Sequence, residues 1–426
     1  MLTAELVDVA LFASEARYGD LVTHVTLDLR RRFTRAELER AVAAAIAAFP
    51  VLGCVYQPRL VRDRWRPSAR PIAELVHVVE GELDLERETI AWARRTLALT
   101  RERPLRLVSL PRGAGSRVLV TLSHLAVDGA GMAAVGSVLA AALTGSAPIA
   151  EIDPRRDLAS SLAALRPWHL PALARDAARA LATPLAVLRA APRERGFPTE
   201  PGGASHWRHV RLSPDETARL KARASAEGAS LNDAIIAALA RVTAGRAAPG
   251  AGALPILYTM DLRRYAGRPR LVAANTSSIL TVFVPRRATV SLDASLAAVA
   301  RVTGAQRRGL AGPATLLVPH LLGLGLPHAL ARRVTRLLHP VLIGLPLERG
   351  MMLTNVGRLD TGLRALGEDL EDVRIIGPNA RGVPIPSVVA HGFRGALHLE
   401  LYAAPGLASA ALDDFERELR DALELT

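Results

Sequence analysis

The strongest constraint on the fold of this chain is a repeated order of strand and helix signals. Two stretches mix these signals in a similar order, and a proline-rich segment joins them. Residues 1–150 and residues 206–426 each combine alternating apolar residues, typical of half-buried strands, with apolar residues at helical spacing. Residues 151–205 hold seven prolines between patches rich in alanine, leucine and arginine, as connectors do. We therefore predict an α/β protein with an N-terminal lobe (1–150), a helical and proline-rich connector (151–205) and a C-terminal lobe (206–426) that resembles the first in outline.

The composition allows two such lobes to fold around large cores. Of the 426 residues, 50% are hydrophobic and 22% are charged, so the chain can bury enough surface to offset its conformational entropy. Its single cysteine, Cys54, excludes an intrachain disulfide and cysteine-rich metal sites. No export signal is visible, because residues 1–15 contain acids, among them Glu5 and Asp8, and no basic residue before the apolar stretch. These features favour a reducing, cytoplasmic location.

The strong positive charge does not by itself indicate nucleic-acid binding. The formal net charge is +13, but Lys221 is the only lysine and the arginines are scattered among acids. Aromatic residues make up only 4% of the chain, too few for the stacking platforms of proteins that bind single strands. We predict no nucleic-acid partner. A basic surface that meets an anionic partner is compatible with this composition.

The most apolar stretch, residues 313–330, is a poor membrane span. Prolines, glycines and histidines interrupt it, whereas a spanning helix needs about 20 consecutive, predominantly apolar residues. We expect the stretch either in ordinary buried core or on a hydrophobic surface or tunnel wall that accepts an apolar ligand. No transmembrane segment is predicted, and contact with a membrane surface stays open.

Local signals place the elements within each lobe. Capping-box patterns, with a serine or threonine followed three residues later by an acid, open three helices: Thr34 with Glu37, Ser213 with Glu216, and Ser230 with Asp233. Strand-like residues 105–110 and 117–123 around a turn at 111–115 predict a hairpin. Further strands are predicted at 20–29, 54–65, 73–79, 207–212, 255–262, 276–284, 373–376, 387–392 and 396–403. The boxes at Thr34 and Ser230 precede the helical runs 38–49 and 231–243, and further helices are predicted at 86–99, 132–143 and 409–425.

The most informative motif follows the strand predicted at 117–123. The strand ends at His124, and Asp128 and Gly129 follow four and five residues later, which puts an imidazole at a corner between strand and loop. Because the pKa of histidine lies near neutrality, such an imidazole suits a general base that deprotonates an attacking hydroxyl or amine. Asp128 is expected to shape the loop through an ion pair, and Gly129 to permit a turn that a Cβ would block. The alternative is a histidine satisfied in the loop, beside an Asp-Gly pair that only forms a turn.

The same residues also fit a weaker pattern. Gly129, Gly131 and Ala134 match the relaxed dinucleotide-binding sequence GxGxxA, and Asp153 lies at a plausible spacing for a ribose contact. In that motif the strand runs directly into the first glycine, whereas here a polar-ended loop intervenes and a hairpin precedes it. The context therefore disfavours a dinucleotide site.

Other catalytic and metal-binding templates are absent from the sequence. It has no GxSxG nucleophile elbow, no HExxH zinc motif and no P-loop. His206 and His209 are three residues apart but lack nearby carboxylates or cysteines in the sequence, so we predict surface or packing roles for them. No metal site is predicted.

Several short motifs together resemble those of one superfamily. Ser123-His124-Leu125-Ala126-Val127-Asp128-Gly129 resembles the HHxxxDG motif of the CoA-dependent acyltransferase superfamily, which includes condensation domains of nonribosomal peptide synthesis, polyketide-associated acyltransferases and wax ester synthases. Four further segments resemble its HPvL, T-x-N-D, Asp-Leu-Arg and Ser-Asn-x-Gly elements and occur in the same order. They are Phe49-Pro50-Val51-Leu52, Ser230-Leu231-Asn232-Asp233-Ala234, Tyr258-Thr259-Met260-Asp261-Leu262-Arg263 and Thr354-Asn355-Val356-Gly357.

The resemblance implies two lobes like chloramphenicol acetyltransferase, which form a pseudo-dimer with a tunnel between them. His124 matches the catalytic second histidine of the motif. Asp128 is the second residue of the implied catalytic pair. It matches the aspartate of the motif, which holds the loop by pairing with an arginine. Arg263 is the candidate for that arginine. Gly129 is implied as further support for this loop.

Ser123 and Asn355 are the implied substrate-binding residues. Ser123 stands where the motif has its first histidine, so the support of the loop is expected to differ. Asn355 is placed on the tunnel wall by the resemblance, and its alternative is a turn cap before a glycine. The DFGWG motif of plant acyltransferases is absent, which disfavours that branch.

The activity implied by the resemblance is transfer of an acyl group from a thioester, on coenzyme A or an acyl carrier protein, to a hydroxyl or amine acceptor in lipid or natural-product biosynthesis. The coenzyme A or phosphopantetheine thioester is then a substrate, and no cofactor is implied. Two alternatives stay open: a catalytically inactive condensation-like binding or scaffold protein, and an amide-forming condensing enzyme.

Overall fold

The computed structural model describes residues 1–19, 21–190, 196–248, 250, 252–267, 269–323, 325–341, 349–378, 380–381, 383 and 385–425. Its strands are β1 (Leu2–Thr3), β2 (Val22–Leu29), β3 (Cys54–Gln57), β4 (Arg64–Pro67), β5 (Val76–Val78), β6 (Leu105–Arg112), β7 (Gly115–Ser123), β8 (His206–Leu212), β9 (Ala253–Asp261), β10 (Ser277–Pro285), β11 (Met351–Arg358), β12 (Leu370–Ile376), β13 (Ser387–Phe393) and β14 (Ala396–Ala403). Its α-helices are α1 (Leu6–Tyr18), α2 (Arg35–Ala48), α3 (Leu85–Ala93), α4 (Gly129–Thr144), α5 (Leu158–Ser161), α6 (Leu170–Arg189), α7 (Pro214–Ala226), α8 (Leu231–Arg246), α9 (Leu292–Arg308), α10 (Ala311–Gly323), α11 (His328–His339), α12 (Asp360–Leu363) and α13 (Ala410–Leu423).

The first lobe is built on a five-stranded sheet with the strand order β12-β2-β7-β6-β5. β6 and β7 form the predicted hairpin, with Arg112 opposite Gly115. The pairs β12–β2 and β2–β7 are also antiparallel, whereas β5 and β6 are parallel. A dinucleotide-binding fold has a mostly parallel sheet, so this topology excludes the GxGxxA alternative.

The second lobe is built on a six-stranded sheet with the order β10-β9-β11-β13-β14-β8. β13 and β14, which correspond to the strands predicted at 387–392 and 396–403, form an antiparallel pair. β11 inserts between β9 and β13, parallel to both, and lies outside the predicted strands. Its first residues alternate between buried and half-buried, but Asn355, Gly357 and Arg358 at its end are exposed. The alternation that indicates a strand is therefore limited to its first residues.

Helices pack against both sheets. In the first lobe, Leu38 of α2 and Val135 of α4 are fully buried in one apolar cluster with Leu27 of β2. In the second lobe, Ile236 of α8 and Phe415 of α13 lie in a separate buried cluster that includes side chains of β9, β11 and β14. These two cores confirm the predicted α/β fold with two lobes.

The cap signals are confirmed, and some element bounds are corrected. Thr34, Ser213 and Ser230 each accept a hydrogen bond from the backbone N–H three residues later. The helix predicted at 86–99 ends at Ala93, because the chain then turns to bury alternate leucines in the first core. The strand predicted at 54–65 is the pair β3 and β4, and α9 and α11 lie outside the predicted elements. Asp20, the first residue of the strand predicted at 20–29, lies outside the described residues.

The apolar stretch at 313–330 is partly core and partly surface. Leu316 of α10 packs against the core of the second lobe, whereas the side chain of Leu321 is 55% exposed. Leu324 lies outside the described residues. No helix in the described part of the chain is both long enough and apolar enough to cross a bilayer.

One strand from the second half of the sequence completes the sheet of the first lobe. β12 pairs with β2, with Val373 opposite Leu27, and the backbone N–H of Arg30 donates to the carbonyl of Asp369 at 2.8 Å. The strand predicted at 373–376 is thus present but belongs to the first sheet. The lobe boundaries at residues 150 and 205 stay predictions.

The buried cap of α8 provides a test of the fold. Asp233 is 0% exposed and accepts hydrogen bonds from the backbone N–H of Ser230, from Thr303 and from Arg307, at 2.8, 2.7 and 3.0 Å. We expect Asp233→Ala to lower the free energy of unfolding by about 2–4 kcal/mol, because it removes a cap and leaves buried donors unpaired. Glu37→Ala, at the same position of the more exposed box on α2, should cost only about 1 kcal/mol. Equal losses in denaturant unfolding of the two variants would contradict this account.

Candidate active site

His124 lies where the first lobe meets the second. It directly follows β7, and its backbone N–H donates to the carbonyl of Leu21 at 2.7 Å. Its side chain is half-buried, so the ring is not sealed in packed interior. Nδ1 of the ring lies 3.2 Å from Oδ1 of Asn275, which precedes β10 of the second lobe.

The contacts of Asn275 determine which atom of its amide faces the imidazole. Its Nδ2 donates to the backbone carbonyls of His124 and Leu125, at 2.8 and 3.0 Å. Carbonyl oxygens only accept hydrogen bonds, so the NH₂ group faces them and Oδ1 faces His124. Oδ1 is likewise only an acceptor, and Nδ1 of His124 therefore carries the proton in this contact. In a neutral ring, the lone pair is then on Nε2.

Asp128 holds the loop that follows His124. It is 2% exposed and caps α4 by accepting from the backbone N–H of Gly131 at 2.8 Å. It also accepts from the backbone N–H of Thr276 at 2.8 Å and from the hydroxyl of Ser277 at 2.9 Å. Because both of these residues belong to the second lobe, one carboxylate fixes the loop to both lobes.

Arg263 neutralises this buried carboxylate. It lies in a short 3₁₀ helix after β9, and its guanidinium donates twice to Asp128, at 2.9 and 3.1 Å. Burial raises the pKa of the Asp128 carboxyl, but the charge and hydrogen bonds of Arg263, together with the backbone N–H groups of Gly131 and Thr276, outweigh that effect and hold the pKa below its usual range. Arg263 also donates to the carbonyl of Ala274 at 2.9 Å, next to Asn275. The structure thus brings together Asp128 and the arginine proposed as its partner.

Gly129 supports the loop, but not for the reason expected from the sequence. It is the first residue of α4 and does not have a positive φ. The expectation that its backbone forms a turn requiring glycine is therefore wrong. A Cβ at this position would lie 3.2 Å from Cγ2 of Val356. The glycine therefore allows β11 of the second lobe to approach the start of α4 closely.

The placement of Ser123 disfavours a contact with substrate. It is 0% exposed, and its hydroxyl accepts from the backbone N–H of Leu125 at 3.2 Å. In this structure it stabilises the turn after His124, and its substrate-binding role stays a prediction.

Asn355 makes the turn contact that the sequence allowed as its alternative. Its Oδ1 accepts from the backbone N–H of Gly357 at 2.8 Å, and Gly357 has a φ of +85°. Its Nδ2 donates to Oδ1 of Asn232 at 3.2 Å. Asn355 is exposed, so a role in substrate binding also stays a prediction.

Sequence reasoning missed a second arginine that holds the loop. Arg156, from the connector, donates to the carbonyls of Ala126 and Ala273 at 3.0 and 3.1 Å. Its charge is balanced by Asp8, which is 0% exposed and accepts from it at 2.8 and 3.1 Å. Asn275 was missed as well, since 151 positions separate it from His124. No motif spacing in the sequence links either residue to the loop.

A cavity of about 770 Å³ adjoins this network. Val25 and Val120 of the first sheet, Ala130 and Met132 of α4, and Arg263 line part of it, but His124 is not among its described lining residues. The cavity therefore does not contain the candidate base, and the tunnel implied by the resemblance stays a prediction.

A separate cluster of histidines lies on the second sheet. The rings of His209 and His398 have centroids 5.1 Å apart, and those of His398 and His391 are 4.8 Å apart. Nδ1 of His209 lies 2.5 Å from Oε1 of Glu400, a carboxylate that is distant in sequence. Burial lowers the pKa of both His391 and His398 to about 4. His206 and His209 are half-buried, and no group of three or more potential ligands among the described residues is arranged to hold a metal ion.

The architecture is similar to solved structures over almost its whole length. The first condensation domain of the calcium-dependent antibiotic synthetase has a TM-score of 0.69 at 19% identity, covering 100% of this chain and 96% of that one. TRI3 trichothecene 15-O-acetyltransferase from Fusarium sporotrichioides has a TM-score of 0.69 at 13% identity, covering 99% and 95%. This chain has the condensation-domain fold. Polyketide synthase associated protein 5 from Mycobacterium tuberculosis shares that fold, with a TM-score of 0.64 at 17% identity and coverage of 99% and 97%.

The resemblance stated from the motifs is thus confirmed at the level of the fold. No protein-family model matches the sequence, and no curated protein matches it. One fold can host unrelated reactions, so the side chains of this chain determine its reaction.

The Asp128 carboxylate should dominate the stability of the junction between the lobes. We expect Asp128→Asn to lower the free energy of unfolding at pH 7 by about 3–5 kcal/mol, because Arg263 loses its buried carboxylate partner and keeps only the more exposed Asp261. The pKa of Asp128 is lowered in the fold, so its stabilisation is present above the ordinary carboxyl pKa and is lost as the pH falls through the folded value. The difference between variant and wild type should therefore shrink as the pH is lowered.

Asp261→Asn is the matched control for this prediction. Asp261 also pairs with Arg263, at 3.0 Å, but its side chain is 45% exposed, so its loss should cost only about 1 kcal/mol. Denaturant unfolding of both variants across pH measures the two effects. Equal costs at pH 7, or a pH-independent difference for Asp128→Asn, would contradict the role given to Asp128.

Proposed function

We propose that this protein is an acyltransferase that moves an acyl group from a thioester to a hydroxyl or amine, with His124 as the general base. The observation that carries the proposal is the environment of the His124 ring. Its Nδ1 faces the amide oxygen of Asn275 at 3.2 Å, and its Nε2 has no hydrogen-bond partner among the described residues. The half-buried ring thus presents a basic nitrogen where the two lobes meet.

The reaction needs one proton to move twice. The hydroxyl or amine of the acceptor donates to Nε2 of His124, which takes the proton as the oxygen or nitrogen attacks the thioester carbonyl. The carbonyl becomes a tetrahedral oxyanion. When the oxyanion collapses, the carbon–sulfur bond breaks, and the departing sulfur receives the proton from Nε2. The products are an ester or amide and a free thiol, and His124 returns to its neutral state without a covalent acyl-enzyme.

The reaction depends more on positioning the acceptor and the thioester than on activating the leaving group. Free thiols have a pKa of about 8.5, so the thiolate is a fair leaving group. What the protein must supply is alignment of the acceptor with the carbonyl and stabilisation of the oxyanion. The backbone that carries His124 is held by four side chains: Asp128, Arg263, Arg156 and Asn275. These contacts support a general base that is held in a fixed position.

The donor in this proposal is a thioester of coenzyme A or of the phosphopantetheine arm of an acyl carrier protein. Both donors are anionic, and the net charge of +13 favours their approach. The acyl group arrives on its own carrier, so the proposed reaction uses no resident cofactor or metal ion. The O-acetyltransferase among the similar structures supports a hydroxyl as one acceptor class, and the proposal keeps an amine as the other.

Substitution of His124 tests the proposal. We expect His124→Ala to reduce thiol release from acyl thioesters by about a hundredfold or more, with unchanged folding by circular dichroism. His169→Ala, at a half-buried histidine of the connector, should leave the rate unchanged. Full activity of a folded His124→Ala protein would remove the base assignment.

The choice of acceptor separates the remaining alternatives. Offering an alcohol and an amine with the same acyl thioester distinguishes ester from amide formation. A wild-type protein that uses neither acceptor with any acyl thioester would instead support the binding or scaffold protein.

Asn275 should set the tautomer of His124. We expect Asn275→Ala to lower kcat by about tenfold to a hundredfold with a much smaller change in KM, because the ring loses the acceptor that keeps the proton on Nδ1. Nitrogen-15 NMR of histidine-labelled protein, with the His124 signal assigned by its absence in His124→Ala, should show the Nδ1–H tautomer in the wild type and a mixture in the variant. An unchanged tautomer together with an unchanged kcat would rule out this role.

A further inference from the structure

The described surface exposes large apolar side chains mainly in two segments. Of sixteen such side chains, five lie at residues 168–188 and six at residues 321–341. Two more, Leu60 and Val61, are 75% and 61% exposed and adjoin the second segment, because their carbonyls accept from the backbone N–H groups of Ala329 and His328. Scattered exposed apolar residues are normal, but clusters of them mark interaction sites.

Helix α11 has its apolar side turned away from the protein. Its exposed apolar residues recur at helical spacing along one stripe that extends two residues past the helix: Leu330, Val334, Leu337, Leu338 and Val341. An ordinary surface helix of a globular protein turns such a stripe toward the core.

The inward side of α11 is polar instead. Arg332 pairs with the buried carboxylate of Asp63, and the backbone N–H of Asp63 donates to Nδ1 of His328 at 2.9 Å. Nδ1 of His339 lies 3.4 Å from the hydroxyl of Tyr18 on α1. These polar contacts fix the rotation of the helix, so the apolar stripe is held in solvent by the fold itself.

Helix α6 carries a second exposed stripe. Six of its exposed apolar residues recur at helical spacing along one side: Leu170, Ala174, Ala178, Leu181, Leu185 and Leu188. Trp168, just before the helix, is 73% exposed. The opposite side of the helix carries its buried residues, Asp176 and Val187. Asp176 accepts a hydrogen bond from the backbone N–H of Leu310, just before α10. Helix α10 precedes α11 in the chain.

Both segments are basic. Residues 309–341 contain no aspartate or glutamate, and Arg333 and Arg336 on α11 are exposed. In residues 166–190 the one acid is Asp176, which is buried and paired with Arg175 and Arg179. A second copy of this chain would bring two basic faces together, which repel each other. An anionic lipid surface complements both the charge and the apolar stripes.

We propose that the stripes of α6 and α11, with Trp168, Leu60 and Val61, form a surface that binds the interface of an anionic lipid bilayer. We call it the apolar helical surface. Its helices lie in the headgroup region rather than across the membrane, since no described helix can span a bilayer. Leucine and tryptophan enter the boundary between headgroups and acyl chains, and the neighbouring arginines contact lipid phosphates. This surface is separate from the His124 loop and does not depend on the proposed reaction.

Cosedimentation of the full chain with lipid vesicles tests the proposal. We expect binding to vesicles of phosphatidylcholine mixed with phosphatidylglycerol, much weaker binding to phosphatidylcholine alone, and release by salt. Leu337→Ser should weaken binding by about tenfold or more, because Leu337 loses its apolar side chain. Arg333→Ala and Arg336→Ala should each weaken it by about fivefold. The matched control is Val290→Ser, since Val290 is 79% exposed, like Leu337 at 77%, but lies outside both segments.

The outcomes separate this surface from the alternatives. Absence of binding to either vesicle, equal binding to both, or equal effects of Leu337→Ser and Val290→Ser would overturn the proposal. So would light scattering that shows a wild-type dimer turned into monomers by Leu337→Ser, because the surface would then join two copies of the chain. His124→Ala should bind vesicles as the wild type does, so a failure of the proposed catalysis would leave this result intact.

Discussion

The buried ion pair of Asp128 and Arg263 determines how the two lobes meet. Asp128 accepts hydrogen bonds from the start of α4 in the first lobe and from Arg263, Thr276 and Ser277 in the second. A buried carboxylate is tolerated only when its partners are in place, so this network fixes the segment before β10 against the loop after β7. Asn275 directly precedes Thr276. The contacts that satisfy Asp128 therefore also place Asn275 beside His124, and the orientation of the candidate base depends on the junction between the lobes.

Local signals in the sequence predicted much of the fold, but not the full environment of the site. The cap residues Thr34, Ser213 and Ser230 mark helix starts through contacts that span three residues, so they could be recognised without a structure. The pairing of Asp128 with Arg263 was proposed from the resemblance rather than from spacing. Asn275 could not be found in either way, because its contacts with His124 exist only once the lobes are docked. The interpretation of Gly129 failed for the same reason, since the atom that limits its size belongs to β11.

Helix α11 shows why an apolar pattern alone does not determine which side of a helix is buried. The stripe that includes Leu337 would normally be expected to face the core. The structure instead turns Arg332 inward, where it pairs with Asp63, a carboxylate at 0% exposure. Leaving that carboxylate without a cation would cost more than exposing leucines, because the desolvation of an unpaired charge exceeds the transfer free energy of an apolar side chain. The rotation of the helix is thus decided by a residue more than 200 positions away.

The position of β12 in the first sheet limits when the N-terminal lobe can complete its folding during synthesis. Until the ribosome has made residue 376, β2 has an open edge, and an unpaired edge can recruit strands from other molecules. The N-terminal lobe therefore cannot be finished while the chain is only half made, although domains commonly complete their folding in order of synthesis. For the same reason, a fragment that stops at the connector would lack one strand of its own sheet. The two lobes are halves of one folding unit, however separate they look in outline.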